Sequence, residues 1–317
     1  MADFGATRRE VETALGLLAH AGDIRPRGPN RAALPVKRRV RGDDGEGTLI
    51  VYDRPVELRY GDSRAVFLAL EESLPGPVVR LSLDSNRTTA ARVTARILDA
   101  PQRRIVIMDH RAEVADALAD AGRAVVSAGV AGIPGRVSRV GVSHESLIRV
   151  ALKHIFAAGH RRVSFPIWRK KAEVALAMRG WIADAYRDAG LKHAPDFDAP
   201  VIADDSPAGL HACVRALIRH TPPTAFVSSD FFQWQGTFMV LAEAGLRCPR
   251  DVSLVSISSS PVWETATPAQ TCLRHPVDEI ATGVRRALVA AERGAAPTVT
   301  LFEPIWVPGA SLGTPRG

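Results

Sequence analysis

The chain has 317 residues, of which 46% are hydrophobic and 24% are charged, and its formal net charge is +7. This composition is typical of a globular protein with room for two or three domains. No apolar run approaches the roughly 18 residues of a membrane-spanning helix, and the first residues lack the basic and apolar regions of a secretory signal. The three separated cysteines (Cys213, Cys248 and Cys272) form neither a disulfide framework nor a zinc pattern. We therefore expect a protein of the reducing cytoplasm with no membrane partner and no metal.

The positive charge is concentrated at the start of the chain. Residues 1–42 contain nine basic and four acidic residues, so they carry +5 of the total of +7. A basic segment joined to a nearly neutral body is typical of a nucleic-acid reader with a second domain attached. We expect residues 1–42 to form a DNA-binding module with a basic linker, and residues 47–317 to form the body.

The first predicted element is a helix that begins at Thr7. Thr7 and Glu10 have the spacing of a capping box, Gly22 is placed to end the helix, and apolar residues recur at helical spacing between them (Val11, Ala14, Leu15 and Leu18). Arg8 and Arg9 occupy the first turn, where the helix dipole disfavours cations by about 0.3–1 kcal/mol each. They are either solvated surface residues or donors that contact DNA, and the basic segments that follow favour DNA.

A short basic hairpin is predicted after this helix. A strand begins at Ile24, Arg27–Asn30 forms a turn, and a second strand runs from about Arg31 to Val36. We expect the DNA contacts of the helix and the hairpin to come from six residues: Thr7, Arg8, Arg9, Arg25, Arg27 and Arg31.

These segments resemble the winged helix-turn-helix of GntR-type bacterial regulators. The stretches that carry the resemblance are Phe4–Leu15, Ala21–Ile24 and Arg25–Pro29. In that family a small turn precedes a recognition helix that starts at Ser/Thr-Arg, and a basic wing follows. The family also has a first helix and most of a second before this turn, whereas Met1–Phe4 alone precede it here. The resemblance therefore implies a partial winged helix-turn-helix that binds operator DNA.

In the body, short β-rich segments alternate with amphipathic helical segments. The candidate strands are Leu49–Tyr52, Val78–Leu83, Ile105–Met108, Ala124–Ser127, Val163–Phe165, Ala225–Ser228 and Val252–Ile257. One predicted helix has Ser206 as its cap and Pro207 in its first turn. Alternation of this kind predicts an α/β fold in which helices cover both faces of parallel sheets. The length of the body favours two similar subdomains.

Ligands of such folds bind beyond the carboxyl ends of the strands. The residues at these ends that we expect to contact a ligand are Asp53, Trp168, Asp230, Phe231 and Ser258. Aromatic faces with a few charged groups suit a sugar or another small polar metabolite. The glycine-rich stretch 129–135 lacks the ending of a phosphate-binding loop, and Gly159–Arg162 is interpreted as a turn at a helix end.

The body resembles the effector-binding region of LacI/GalR-type repressors. The resemblance is carried by Ser143–Ser146, Ala157–Val163, Arg179–Leu191, Pro222–Asp230, Ala244–Val255, Pro268–Thr271 and Arg274–Pro276. It implies a type I periplasmic-binding-protein-like fold of two Rossmann-like lobes, with the ligand between them and Arg274 added to the ligand set. Ala177 and Ser258 stand where that family carries an arginine and an aspartate, so no particular sugar is implied.

The resemblance also implies that the chain crosses between the lobes three times. We expect crossings near Pro166–Trp168, Arg274–Pro276 and Ala295. Lobe one would then contain about 47–165 plus 276–293, and lobe two about 167–273 plus 296–317.

Three functions are compatible with these patterns. The first is a bacterial transcriptional regulator, in such families most often a repressor, that works as a homodimer and needs no cofactor. The second is a stand-alone sugar-binding protein of the transport type, against which the segment Thr7–Val36 argues. The third is an α/β enzyme, but the sequence contains no nucleophile elbow, paired-carboxylate motif or metal set. We therefore expect a regulator and not an enzyme.

Overall fold

A computed structural model describes residues 24–25, 34–35, 46–52, 61–82, 89–108, 112–131, 135–169, 172–220 and 222–316, with the backbone alone at 24–25, 34–35 and 264–265. The chain forms two compact units, Met1–Glu46 and Gly47–Gly317. In the first unit, β1 (Ile24–Arg25) pairs antiparallel with β2 (Leu34–Pro35), so that Ile24 lies opposite Pro35. This pairing confirms the predicted hairpin. The side chains expected to contact DNA lie outside the described residues.

The second unit alternates strands and helices along the chain. Its elements are β3 (Thr48–Tyr52), α1 (Asp62–Ser73), β4 (Val78–Ser82), α2 (Ala90–Leu98), β5 (Arg104–Ile107), α3 (Ala112–Asp120), β6 (Ala124–Ala131), β7 (Ser138–Ser143), α4 (His144–Ala157), β8 (Val163–Ser164), α5 (Ala172–Asp188), α6 (Pro195–Asp198), α7 (Pro207–His220), β9 (Ala225–Ser228), α8 (Phe231–Glu243), β10 (Ser253–Ser256), a 3-10 helix (Pro261–Thr265), β11 (Thr271–Arg274), α9 (Val277–Glu292), β12 (Val299–Leu301) and β13 (Ile305–Val307).

The first sheet has six parallel strands in the order β12-β7-β6-β5-β3-β4. Helices α2 and α3 bury Val93, Ile97 and Leu118 against one face. On the other face, α1 and α9 bury Phe67 and Val284 among the inward residues of the same strands. Because both faces are covered, the central strands β3, β5 and β6 are largely apolar, which is the pattern that parallel sheets produce.

The second sheet has five strands in the order β13-β11-β10-β9-β8, of which β8 to β11 are parallel and β13 is antiparallel. Helices α7 and α8 pack Val214 and Val240 against Phe226 on one face. Helix α5 packs Ile182 on the other face, where Val255 lies. The two sheets with their helices form the two lobes, and their layers confirm the predicted α/β class.

Strands β8 and β12 each lie in the opposite lobe to the one predicted from the sequence. Strand β8 pairs with β9 through Val163 and Ala225, so the first crossing precedes Val163 and does not lie at 166–168. Strand β12 pairs with β7 through Val299 and Arg139, so the last crossing follows Leu301 and does not lie near Ala295. Both are short edge strands, and the residues that pair with them are distant in sequence.

The segment after α4 is a helix-end turn, as predicted. Gly159 has a φ of 99°, a left-handed conformation that favours glycine. Arg161 Nη1 donates to the carbonyl oxygens of Phe156 and His160, both at 2.8 Å. These bonds tie the Arg161 side chain to the turn that follows the helix. Among the described helices, none combines the length and apolar composition needed to cross a membrane.

Candidate functional site

The carboxyl ends of β8 to β11 meet at one edge of the second sheet, where parallel α/β sheets bind ligands. Across the paired strands Val163 lies beside Ala225, Ala225 beside Ser253, and Val255 beside Thr271. Counting on from the last paired residues of these registers gives equivalent positions on four neighbouring strands to four of the predicted ligand residues: Trp168, Asp230, Ser258 and Arg274. We call these four residues the edge row.

Trp168 and Asp230 are in direct contact. The indole Nε1 of Trp168 donates to Asp230 Oδ2 at 2.9 Å, and both side chains are half-buried. Asp230 also caps α8, because its Oδ1 accepts from the backbone N–H of Gln233 at 2.9 Å. The carboxylate therefore joins the segment that follows β8 to the start of α8.

Gln233 was not predicted, yet it holds the same two segments together. Its side chain is fully buried, and its Nε2 donates to the carbonyl oxygen of Pro166 at 2.6 Å. Its Oε1 accepts from the backbone N–H of Ser229 at 2.6 Å. The hydroxyl of Ser229 lies 3.0 Å from Gln233 Oε1 and 3.2 Å from Asp230 Oδ2, so its one proton is donated to either acceptor. The sequence feature that could have indicated this role is a glutamine in the otherwise apolar first turn of α8.

Phe231 rests on a layer of aromatic rings. Its ring stacks on Trp234 with centroids 6.1 Å apart and lies 6.4 Å from Trp263 of the 3-10 helix. Trp234 in turn lies 5.8 Å from Trp263 and stacks on Phe238 at 5.4 Å. The indole nitrogens of Trp234 and Trp263 are buried and have no hydrogen-bond partner in the described structure. The layer supports an apolar face beside Asp230, and Trp263 was not predicted as part of it.

Ser258 and Arg274 end the edge row on the side away from Trp168. Ser258 is half-buried, and its hydroxyl lies 3.5 Å from that of Ser256. Arg274 is exposed, and its guanidinium forms neither a hydrogen bond nor an ion pair with any residue that the structure describes. Its partner in β13 is Ile305, an uncharged residue.

Asp62, at the start of α1, connects lobe one to lobe two. Its partners Ser259 and His275 directly follow Ser258 and Arg274 of the edge row. Asp62 is 3% exposed and accepts three hydrogen bonds from lobe two. The donors are the backbone N–H of Ser259 at 2.6 Å, the hydroxyl of Ser259 at 2.7 Å and the backbone N–H of His275 at 3.0 Å. Gly61 has a φ of 65°, and a Cβ atom at Gly61 would lie 1.7 Å from the carbonyl oxygen of Ser259.

We call the three hydrogen bonds to Asp62 the clamp. Burial shifts the pKa values of two titratable groups beside it. It lowers the pKa of the His275 imidazole, although the negative charge of Asp62 opposes the shift. It raises the pKa of the Cys272 thiol to about 11, and Asp62 adds to this shift. Both groups are therefore uncharged near neutral pH. The sequence gives no signal for this clamp beyond a Gly-Asp pair before a helix.

Asp53, the ligand residue predicted for lobe one, lies outside the described residues, as do Asp109 and His110 beyond the end of β5. In lobe one, the described residues that directly precede these positions are Tyr52, the last residue of β3, and Met108, which follows β5. Both are buried. The structure therefore brings Trp168 and Asp230 into contact, with Phe231 directly after Asp230, and it places Ser258 and Arg274 at the ends of the neighbouring strands β10 and β11.

Comparisons with known proteins agree with this architecture. A family model described as "Periplasmic binding protein-like domain" matches residues 152–312. The transcriptional repressor MelR of Bacillus subtilis (strain 168) is 28% identical over 162 residues, which are 49% of this chain and 47% of MelR. A probable opine utilization operon repressor of Rhizobium rhizogenes is 29% identical over 180 residues, 53% of this chain and 89% of that protein.

The chain thus spans about half the length of MelR. Among solved structures, a LacI family transcriptional regulator from Mycobacterium smegmatis aligns with a TM-score of 0.69 and 20% identity, over 85% of this chain and all of that one. At this identity the likeness shows a shared fold. The family match covers half of the sequence, and the chain belongs to the family of periplasmic binding protein-like domains.

Proposed function

We propose that this protein is a bacterial transcriptional regulator, and more specifically a repressor, that responds to a small effector bound between its two lobes. The observation that carries the proposal is the edge row on a two-lobed body whose curated relatives are named repressors. Binding of the effector changes the contact between the lobes, and this change alters the affinity for DNA. The coupling is reciprocal, so DNA also changes the affinity for the effector.

In this proposal residues 1–42 read the operator as a GntR-type winged helix-turn-helix. Two observations support this part: the net charge of +5, and the antiparallel pair of Ile24 with Pro35 at the position of the wing. The DNA contacts come from Thr7, Arg8, Arg9, Arg25, Arg27 and Arg31. Two copies of the chain in a homodimer present two readers to two half-sites.

The effector site of the proposal consists of Asp53 in lobe one and five residues of lobe two: Trp168, Asp230, Phe231, Ser258 and Arg274. The contact of Trp168 with Asp230 at 2.9 Å and the aromatic support under Phe231 favour this site because they fix the side chains before a ligand arrives.

Light scattering at micromolar concentration tests the proposed homodimer. A monomeric mass would contradict it.

Binding to DNA from the region upstream of the protein's own gene tests the proposal. In fluorescence anisotropy, Arg8→Ala and Arg27→Ala should each weaken binding by about 1–3 kcal/mol if these side chains contact base edges. Affinity should also fall steeply as salt rises, because the module neutralises phosphate charges. The matched control is Arg285→Ala, an exposed arginine of α9 in the body. Full-strength binding by the Arg8→Ala/Arg27→Ala double variant contradicts the proposal.

The second candidate function is a sugar-binding protein of the transport type, which the two-lobed body favours by itself. Such a protein binds its ligand with no consequence for DNA. Salt-dependent DNA binding that an effector changes excludes this candidate. Recovery of the protein from the periplasm, together with an absence of DNA binding, would favour it over the regulator.

A further inference from the structure

We infer that the effector carries a carboxylate group and that Arg274 binds it. This inference rests on one part of the proposed function, namely that the body binds a small effector at the edge row. It concerns the chemistry of that effector, and it follows from which hydrogen-bonding groups at the edge are already occupied by protein partners.

The acceptors at this edge are largely occupied. Asp62 accepts three hydrogen bonds from Ser259 and His275 and is almost fully buried. Asp230 accepts from Trp168 and from the backbone of Gln233, and the hydroxyl of Ser229 lies within reach of the same carboxylate. A neutral sugar must donate several hydroxyl protons, and it therefore needs free acceptors in its site. Asp230 is the one carboxylate in the described edge row, and protein donors already bond to both of its oxygens.

Among the described residues of the edge row, the charged side chain without a protein partner is a cation. Arg274 is exposed, and its guanidinium has no ion pair or hydrogen bond to a described residue. Its neighbour in β13 is Ile305, which does not offset its charge, and the pairing of β11 with β10 ends at Cys272 and Ser256. A guanidinium presents five N–H donors in a planar fork that matches both oxygens of a carboxylate. Ser258 follows β10, the strand that pairs with β11, and we assign its hydroxyl to the same group.

The aromatic residues beside the edge row suit a ligand in which an apolar portion is attached to that carboxylate. Phe231 presents a half-buried ring beside Asp230, and Trp234 and Trp263 support this ring from below. Offset or edge contacts with a flat ligand are favourable at such a surface. The site therefore fits a small acid with a planar or apolar portion better than it fits a neutral polyol.

The test is isothermal titration of the full chain with matched pairs of probes. Each pair contains a carboxylate and its neutral amide, for example benzoate with benzamide, phenylacetate with phenylacetamide, and succinate with succinamide. Glucose and cellobiose serve as neutral sugars. We expect at least one carboxylate to bind and its amide to bind about 10- to 100-fold more weakly, because the amide loses a charge-assisted bond.

Arg274→Gln should weaken binding of that carboxylate by the same factor and leave binding of the amide unchanged. Arg285→Gln is the matched control and should change neither. Circular dichroism and the melting temperature establish that each variant is folded. The inference is overturned if neutral sugars bind and no carboxylate does, if nothing in the set binds, or if Arg274→Gln binds the acid at full strength.

These outcomes separate the inference from the proposed function. If a carboxylate binds through Arg274 but has no effect on DNA affinity in the anisotropy assay, the regulator proposal fails and the inference stands. If a neutral sugar binds and changes DNA affinity, the regulator proposal stands and the inference fails.

Discussion

His160 is a single buried residue that joins three parts of the second unit. It is 1% exposed, its Nδ1 lies 2.8 Å from Thr224 Oγ1, and its Nε2 lies 2.9 Å from the carbonyl oxygen of Gly313. The ring thereby ties the end of α4 to the start of β9 and to the last described segment of the chain. Burial lowers the pKa of this imidazole, because its charged form would lose its hydration.

Stability should therefore fall as the pH decreases below about 6.5. Between that value and the lowered pKa of His160, the folded chain binds fewer protons than the unfolded chain, so protonation favours unfolding. His160→Gln should show a shallower fall, although His275, whose pKa is lowered too, still contributes. Urea unfolding at about pH 7.5 and about pH 5.5 measures the difference. Parallel profiles for the two proteins would rule out this role of His160.

At the scale of elements, local sequence rules account for the starts of several helices. Ser143 caps α4 by accepting from the backbone N–H of Ser146 at 2.9 Å. Ser206 accepts from Gly209 at 3.0 Å just before α7 begins at Pro207, which confirms the predicted cap. These contacts span three residues, so periodicity and cap chemistry are enough to locate them.

Helix α8 depends on a contact that no local rule reveals. Gln233 reaches from its first turn to the carbonyl oxygen of Pro166, which is 67 residues away in sequence. This bond fixes the segment that carries Trp168 against the start of α8. The geometry of the edge row thus depends on this buried amide as well as on the carboxylate of Asp230.

Replacement of that amide tests its role. Gln233→Ala leaves the carbonyl of Pro166 and the N–H of Ser229 without their partner and should lower the free energy of unfolding by about 2–3 kcal/mol. Gln235→Ala, at an exposed position of the same helix, is the control and should change it by less than about 0.5 kcal/mol. Equal urea midpoints for the two variants would show that the buried amide adds nothing.

At the scale of the whole molecule, the clamp at Asp62 joins the lobes beside the edge row. Ser259 directly follows Ser258, and His275 directly follows Arg274, so two residues of the row adjoin donors to Asp62. A change in the contact between the lobes at this point therefore reaches the proposed effector site through the backbone.

Asp62→Asn should weaken the clamp, because an amide has a single acceptor oxygen where the carboxylate has two. We expect the free energy of unfolding to fall by about 1–3 kcal/mol, since at least one donor of Ser259 or His275 loses its partner. Asp188→Asn, at an exposed position near the end of α5, is the control. Urea denaturation measures both, and an unchanged midpoint for Asp62→Asn would exclude a stabilising clamp.

The sequence by itself determined the layered α/β class, the hairpin in the first unit, the cap at Ser206 and the strand ends at which Trp168, Asp230 and Ser258 stand. These features follow from periodicity, caps and turns, which act over a few neighbouring residues. Only the tertiary structure decided which sheet takes the edge strands β8 and β12, and that Asp62 meets Ser259 and His275, which are 197 and 213 residues away. Such pairings have no local signature, because they depend on the packing of both lobes together.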